Sequence, residues 1–231
     1  AYNLNRLSFR PAYIIPKPLD PRLITAVSSA VAKAAIESGV AKRTITDWTE
    51  YENKLRALMG YDNKMIRQFI DMAKQSPKRV VFAEANHANM LQAAATAVQE
   101  GVCHPILLGN EERIEKLAKQ INIDLEGMQI VNLRSDVEAE RRDKYAKLFT
   151  QKRQREGITL AEANEKMFDR NYFGMMMVEA GDADAFITGT YTKYSEAIQI
   201  ATETIGIREG YKHFGAMHIM NTKKGTYFFA D

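Results

Sequence analysis

Residues 79–110, RVVFAEANHANMLQAAATAVQEGVCHPILLGN, decide the predicted fold. A short apolar run opens the stretch, a segment with helical periodicity follows and ends at Gly101, and a second apolar run precedes Gly109. A strand, a helix and a second strand in this order are typical of a βαβ unit in a parallel sheet. The stretch therefore predicts an α/β domain.

The same alternation continues toward the C-terminus. The patterns predict strands at MQIVNL (128–133), ADAFITG (183–189), GAMHIM (215–220) and TYFFAD (226–231), and helices at 111–121, 137–155, 159–180 and 192–205. Strands separated by helices indicate a mainly parallel sheet that is covered on both faces, which is a three-layer αβα fold.

The segment before residue 79 has a different organisation. Asp20-Pro21 is a helix start signal and Ser38-Gly39 a helix end, and further helices are predicted over 47–58 and 64–75. Because a linker separates the last two helices, we predict two domains, residues 1–60 and 61–231.

Composition excludes several function classes. The 231 residues carry a net charge of +3 without a basic block interleaved with aromatics, so no nucleic-acid partner is predicted. No apolar run is long enough to span a membrane. The single cysteine, Cys103, fits a reducing cytoplasm. Because the chain starts at Ala1 and stops on a strand pattern at Asp231, it reads as a piece of a longer polypeptide.

The candidate ligand edge lies beyond the carboxyl ends of the predicted strands. Three segments fall there: Ala83–Asn86, Leu108–Asn110 and Thr188–Lys193. The last joins a strand to a helix through small and hydroxyl-bearing residues, a pattern that can bind an anion with backbone N–H groups. Arg153, near the end of the long helix, could supply a guanidinium to a phosphate or carboxylate.

No metal site and no catalytic constellation is predicted. His87, His104, His213 and His218 lack the spacing of zinc ligands, and no Gly-rich phosphate motif or nucleophile elbow is present. The consecutive methionines 175–177 indicate a helix in a packed interior.

Two segments resemble known families. YIIPKPLDPRLITAVSSAVAKAAIESGVA (13–41) is similar to the end of the malic domain in bacterial NADP-dependent malic enzymes. From about residue 64 the chain resembles the first part of a phosphate acetyltransferase domain, through VVFAEANHANMLQAAATAVQEGVCHPILLGNEERI, YAKLFTQKRQREGITLAEANEKM, YFGMMMVEAGDADAFITGTY and GTYFFAD. This order is typical of the hybrid malic enzymes. It implies the isocitrate/isopropylmalate dehydrogenase-like fold of phosphate acetyltransferases, incomplete at the C-terminus.

The resemblance also implies site residues. Arg153 falls where these transferases have a phosphate- or CoA-binding arginine, and Thr188-Gly189 matches their Ser-Gly turn. Gln199-Ile200 stands where an Arg-Pro pair is expected. The candidate residues for binding acetyl-CoA or phosphate are Arg153, Thr188, Gly189, Thr190, Lys193, Ser195 and Gln199. No catalytic residue is expected among them.

The implied function is that of a regulatory module in a cytoplasmic malic enzyme, which binds acetyl-CoA, forms homo-oligomers and does not transfer acetyl groups. The parent chain is expected to convert malate to pyruvate with NADP and Mg or Mn, whose ligands the resemblance places upstream of Ala1; no cofactor is expected in this segment. Two alternatives stay open: an active phosphate acetyltransferase, and an oligomerisation scaffold without a ligand.

Overall fold

The computed structural model describes residues 22–58, 64–222 and 225–230. The chain divides into two compact units, Ala1–Arg67 and Gln68–Asp231. Each unit is considered by itself below. The predicted domain boundary, between residues 60 and 61, lies outside the described residues and stays a prediction.

Two helices form the described part of the first unit, α1 (Arg22–Glu37) and α2 (Trp48–Leu58). Gly39 follows α1 in the left-handed region, with φ 74°, as the Ser38-Gly39 signal predicts. Asp47 caps α2, because its Oδ1 accepts a hydrogen bond of 2.9 Å from the backbone N–H of Glu50. The start signal at Asp20-Pro21 lies outside the described residues.

The second unit alternates strands with helices, as the sequence predicts. Helix α3 (Lys64–Gln75) crosses the division between the units. The elements that follow are β1 (Lys78–Phe82), α4 (Ala88–Glu100), β2 (Cys103–Leu108), α5 (Glu111–Ile121), β3 (Gln129–Val131), α6 (Ala139–Arg153), α7 (Leu160–Lys166), α8 (Arg170–Glu179), β4 (Ala185–Ile187), α9 (Tyr194–Thr204), β5 (Met217–Thr222) and β6 (Gly225–Ala230).

Four strands form a parallel sheet in the order β3-β2-β1-β4. The chain moves outward from β1 to β2 to β3, and then returns through α6, α7 and α8 to place β4 on the other side of β1. The direction of winding therefore reverses between β1 and β4. In open α/β sheets such a reversal opens a crevice at the carboxyl ends of the two strands.

Helices cover both faces of this sheet, which confirms the three-layer αβα fold. One buried cluster joins the strands to α4 and α5 through Leu91, Leu107 and Ile114. The other joins them to α6, α7, α8 and α9 and includes Phe149 and Met175–Met177, the methionines predicted to lie in the interior. A capping box begins α7: the Thr159 side chain accepts from the backbone N–H of Glu162, and the Glu162 side chain accepts from that of Thr159.

Strands β5 and β6 are predicted correctly as strands, but they lie outside the parallel sheet. They pair with each other in antiparallel register, from Met217 with Ala230 to Thr222 with Gly225. All six residues of β6 are exposed, including Phe228 and Phe229.

Candidate functional site

The turn that follows β4 lies at the point where the winding of the sheet reverses. Thr188 is the first residue after the strand, and Gly189 has a φ of 112°, which an L side chain rarely adopts. The chain then runs through residues 190–192 to Lys193, the N-cap residue of α9. This is the segment that the sequence predicts as an anion cradle.

A carboxylate from the chain itself occupies the donors of this turn. Glu84, which follows β1 and is 2% exposed, accepts hydrogen bonds from the backbone N–H groups of Thr190 (2.9 Å), Tyr191 (3.1 Å) and Thr192 (3.0 Å). The Thr192 hydroxyl donates a fourth, at 3.1 Å. The donors predicted for a ligand anion are therefore bonded to a carboxylate of the chain itself, and ligand binding at this turn stays a prediction.

The protonation of Glu84 follows from these contacts. Burial by itself raises the pKa of the carboxyl group, whereas the hydrogen bonds from Tyr191, Thr192 and Thr190 lower it. The net effect is a pKa below the ordinary value of 4.5. Glu84 is therefore ionised at neutral pH, and its charge repels a second anion at the same turn.

Neighbouring side chains fix the turn in place. Thr188 donates a hydrogen bond of 3.0 Å to Oδ1 of Asn171, which is 4% exposed. The rings of His87 and Tyr191 stack with their centroids 3.8 Å apart. These contacts bind the turn to α8 and to the segment after β1, so that it is part of the packed structure.

The predicted residues at the start of α9 are exposed. Lys193 and Ser195 face solvent. Thr190 is also exposed, but its backbone N–H is bonded to Glu84. Among the residues that the structure describes, no side-chain hydrogen bond or ion pair involves the Lys193 ammonium group. Lys193 is thus the cation at this end of the helix that is available to a ligand.

Arg153 lies at the opposite end of α9. Its Nε donates to the carbonyl of Glu203 at 2.6 Å, its Nη2 donates to the carbonyl of Thr202, and its Nη1 pairs with Glu156 at 2.5 Å. Nine residues of helix, about 14 Å, separate Lys193 from Thr202. The structure therefore does not bring Arg153 together with the Thr188 turn.

Gln199 belongs to a network that includes a residue the sequence analysis missed, Glu203. The side-chain amide of Gln199 donates to Glu203 Oε1 at 3.0 Å. Tyr172 donates to Glu203 Oε2 at 2.5 Å and accepts from Lys166 at 2.7 Å. Burial acts to raise the pKa of Glu203, but the bonds from Tyr172, Gln199 and Lys166 lower it overall. The four-residue spacing of Gln199 and Glu203, which places two side chains side by side on a helix, is the sequence signal that predicts this contact.

Two further findings concern the described residues only. No group of three or more His, Cys, Asp or Glu side chains among them is arranged to hold a metal ion. None of the helices within those ranges is both long enough and apolar enough to cross a membrane.

Comparison with known proteins places the second unit in a family. A family model described as phosphate acetyl/butaryl transferase matches residues 64–231. The chain belongs to this family. The phosphotransacetylase of Streptococcus pyogenes has the same fold, with a TM-score of 0.63 and 25% identity over 71% of this chain and 50% of that one. EutD phosphotransacetylase of Staphylococcus aureus gives a TM-score of 0.60 at 24% identity, covering 71% of this chain and 49% of its own.

Malic enzymes are among the proteins similar to the whole chain. The chain is 39% identical over 236 residues to the NADP-dependent malic enzyme of Escherichia coli (strain K12), covering all of this chain and 31% of that protein. The phosphate acetyltransferase of Thermoanaerobacterium thermosaccharolyticum is 31% identical over 173 residues, or 72% of this chain and 51% of that protein. The chain thus spans about a third of the malic enzymes and about half of the phosphate acetyltransferases, which confirms the resemblance to hybrid malic enzymes.

Proposed function

We propose that this segment is a regulatory module that binds acetyl-CoA, without transferring acetyl groups, in a larger cytoplasmic NADP-dependent malic enzyme. The similarity of the whole chain to malic enzymes supports this parent. The parent would decarboxylate malate oxidatively and assemble as a homo-oligomer. Its NADP and its Mg or Mn belong to the malic domain. The described residues do not fit such a metal, because no three candidate ligands converge among them.

The observation that carries the proposal is the environment of Gln199. A neutral amide stands where the family resemblance leads us to expect an arginine, and it donates to the ionised Glu203. A charge-assisted hydrogen bond contributes about 1.5–3 kcal/mol, and such contacts matter more where charge develops during a reaction. Position 199 therefore lacks the positive charge of an arginine, and the carboxylate beside it, Glu203, is paired with the Lys166 ammonium group at 3.5 Å.

The other groups at the predicted site support the same conclusion. The donors of the Thr188 turn are bonded to Glu84, and Arg153 is bonded to the carbonyls at the end of α9. Of the cations in the predicted site, Lys193 is the one without a partner among the described residues. A single exposed ammonium group can attract a CoA phosphate, but it offers little to an acetyl transfer between two anions.

The experiment that tests the proposal uses the full-length protein. Titration calorimetry should detect acetyl-CoA binding, and the rate of malate-dependent NADPH formation should change when acetyl-CoA is added. Desulfo-CoA, which cannot carry an acetyl group, separates recognition of the nucleotide from recognition of the acetyl thioester. Absence of binding, together with an unchanged malate rate, would contradict sensing and support the scaffold alternative.

A further inference from the structure

A second candidate site lies at the same edge of the sheet, beyond β1, β2 and β3. A cavity of about 520 Å³ opens there, lined in part by Asn86 after β1, Asn110 after β2, Arg134 after β3 and Arg170 at the start of α8. This volume falls within the range of small-molecule sites. None of the residues predicted as acetyl-CoA ligands lines it.

Positive charge dominates the lining. Three arginines contribute to it, Arg113, Arg134 and Arg170, against one carboxylate, Asp169. Asp169 Oδ1 already accepts hydrogen bonds from the backbone N–H groups of Asn171 (2.8 Å) and Tyr172 (3.2 Å), as the N-cap of α8. The carboxylate is therefore occupied with the helix terminus, and the cavity has an excess of two positive charges.

The guanidinium groups have few partners in the protein. Arg170 donates to Oδ1 of Asn86 at 2.9 Å and makes a longer contact of 3.5 Å with the Ala83 carbonyl. Within the described ranges, no hydrogen bond or ion pair involves the guanidinium group of Arg113 or Arg134. Here two planar donor groups remain available next to one cavity.

The asparagines that line the cavity add hydrogen-bond donors. Oδ1 of Asn110 accepts from the backbone N–H of Arg113 at 3.0 Å, and Oδ1 of Asn132 accepts from that of Arg134 at 3.2 Å. Oδ1 of Asn86 is bonded to Arg170. Each side-chain oxygen already accepts one hydrogen bond, whereas within the described ranges the side-chain N–H groups of the three asparagines donate to no protein group. The cavity therefore presents hydrogen-bond donors, which suit an anion.

We propose that this cavity binds a small polyanion, a metabolite with at least two phosphate or carboxylate groups, through Arg113, Arg134 and Arg170. Two anionic groups match the excess charge, and guanidinium forks bind either group in two-point geometry. The Thr188 turn has its own carboxylate in Glu84, whereas no acidic side chain among the described residues pairs with Arg113 or Arg134. The proposal does not depend on acetyl-CoA sensing.

Calorimetry on the full-length protein tests this proposal with two probes, inorganic pyrophosphate and citrate, at constant ionic strength. The variants are Arg113→Gln and Arg134→Gln, which remove exposed side chains without protein partners and should leave the unfolding temperature of the free protein unchanged. Arg155→Gln, an exposed arginine that does not line the cavity, is the matched control. A preference for one probe identifies phosphate or carboxylate as the recognised group.

We expect at least one probe to bind, and each cavity variant to weaken its Kd by about tenfold or more, with Arg155→Gln unchanged. Acetate should not bind at the same concentration. Saturating acetyl-CoA should leave probe binding in place. No binding of either probe, equal binding by wild type and both cavity variants, or displacement of the probe by acetyl-CoA would overturn the proposal.

Discussion

At the scale of single residues, Glu84 connects the two strands between which the sheet reverses its winding. It follows β1, and the three backbone N–H groups that it accepts follow β4. Sequence patterns predicted the strand and the turn after it, with backbone N–H groups placed to bind an anion. They could not predict that Glu84 is that anion, because 106 residues separate it from Thr190 and only the β1–β4 pairing brings them together.

Replacing Glu84 tests this role. Glu84→Gln keeps the shape of the side chain but removes its charge and turns an amide toward N–H donors. We expect the free energy of unfolding to fall by about 1.5–3 kcal/mol, the range for hydrogen bonds to a charged group. Glu165→Gln, an exposed residue of α7, should change it by less than about 0.5 kcal/mol. Chemical denaturation measures both variants. An unchanged free energy of unfolding for Glu84→Gln would contradict the role of Glu84 as the acceptor for the turn.

The difference in stability between wild type and Glu84→Gln should depend on pH. The pKa of Glu84 is lowered in the folded protein, so the unfolded state binds more protons between the two pKa values. The advantage of wild type over Glu84→Gln is then complete above the ordinary pKa of 4.5 and shrinks as the pH falls through the lowered folded value. Denaturation curves at several pH values measure it. An advantage that grew toward acid would contradict the sign.

Gly174 provides a second test at this scale. It lies in α8, and a Cβ there would come within 2.4 Å of Cε2 and 2.8 Å of Cδ2 in the Phe186 ring. Gly174→Ala should therefore destabilise the fold by about 1–3 kcal/mol through overpacking, despite the higher helix propensity of alanine. Gly215→Ala, with nothing within 4 Å, is the matched control. Thermal unfolding measures the stability of both variants. An unfolding temperature of Gly174→Ala above that of wild type would contradict the close contact with Phe186.

At the scale of elements, α9 separates two groups that the sequence analysis assigned to one site. Lys193 lies at its start, and Arg153 is bonded to the carbonyls at its end. Local signals predicted the helices and strands well, because caps, glycines and periodicity act over a few residues. The direction of the Arg153 side chain depends on how α6 packs against α9, which no local pattern encodes.

Arg153→Gln distinguishes a capping role from a binding role. The side chain is 18% exposed and bonds the carbonyls of Thr202 and Glu203. We expect its loss to lower the free energy of unfolding by about 1–3 kcal/mol, and to leave acetyl-CoA affinity within about twofold, where Arg155→Gln changes neither. Unchanged stability together with weakened acetyl-CoA binding would instead support the phosphate- or CoA-binding role that the family resemblance implies for Arg153.

Gln199→Arg tests the environment of the missing arginine. On its own, the new guanidinium should pair with Glu203 four residues away, and acetyl-CoA affinity should change by less than about threefold. Together with Glu203→Gln, the guanidinium is free for a phosphate, and affinity should rise by about tenfold. Glu203→Gln alone is the control. Equal gains in the single and double variants would show that Glu203 does not neutralise this position.

At the scale of the whole molecule, the fold and the family could be predicted from patterns within the sequence. The βαβ stretch at residues 79–110 predicted the sheet, and the resemblance to transacetylases agrees with the family match over residues 64–231. The pairing of β5 with β6 outside the sheet was not predicted, because strand patterns do not specify a partner. The central claim concerns chemistry: a site that retains the transacetylase fold, but has Gln199 where the family resemblance implies an arginine, should sense acetyl-CoA and not consume it.

The measurement that tests this claim most directly is release of CoA from acetyl-CoA in the presence of inorganic phosphate by the full-length protein, followed with a thiol reagent. The account predicts no release above the enzyme-free blank at acetyl-CoA concentrations that change the rate of malate oxidation. Phosphate-dependent release at ordinary enzymatic turnover rates, about 1 s⁻¹ or faster, would contradict it.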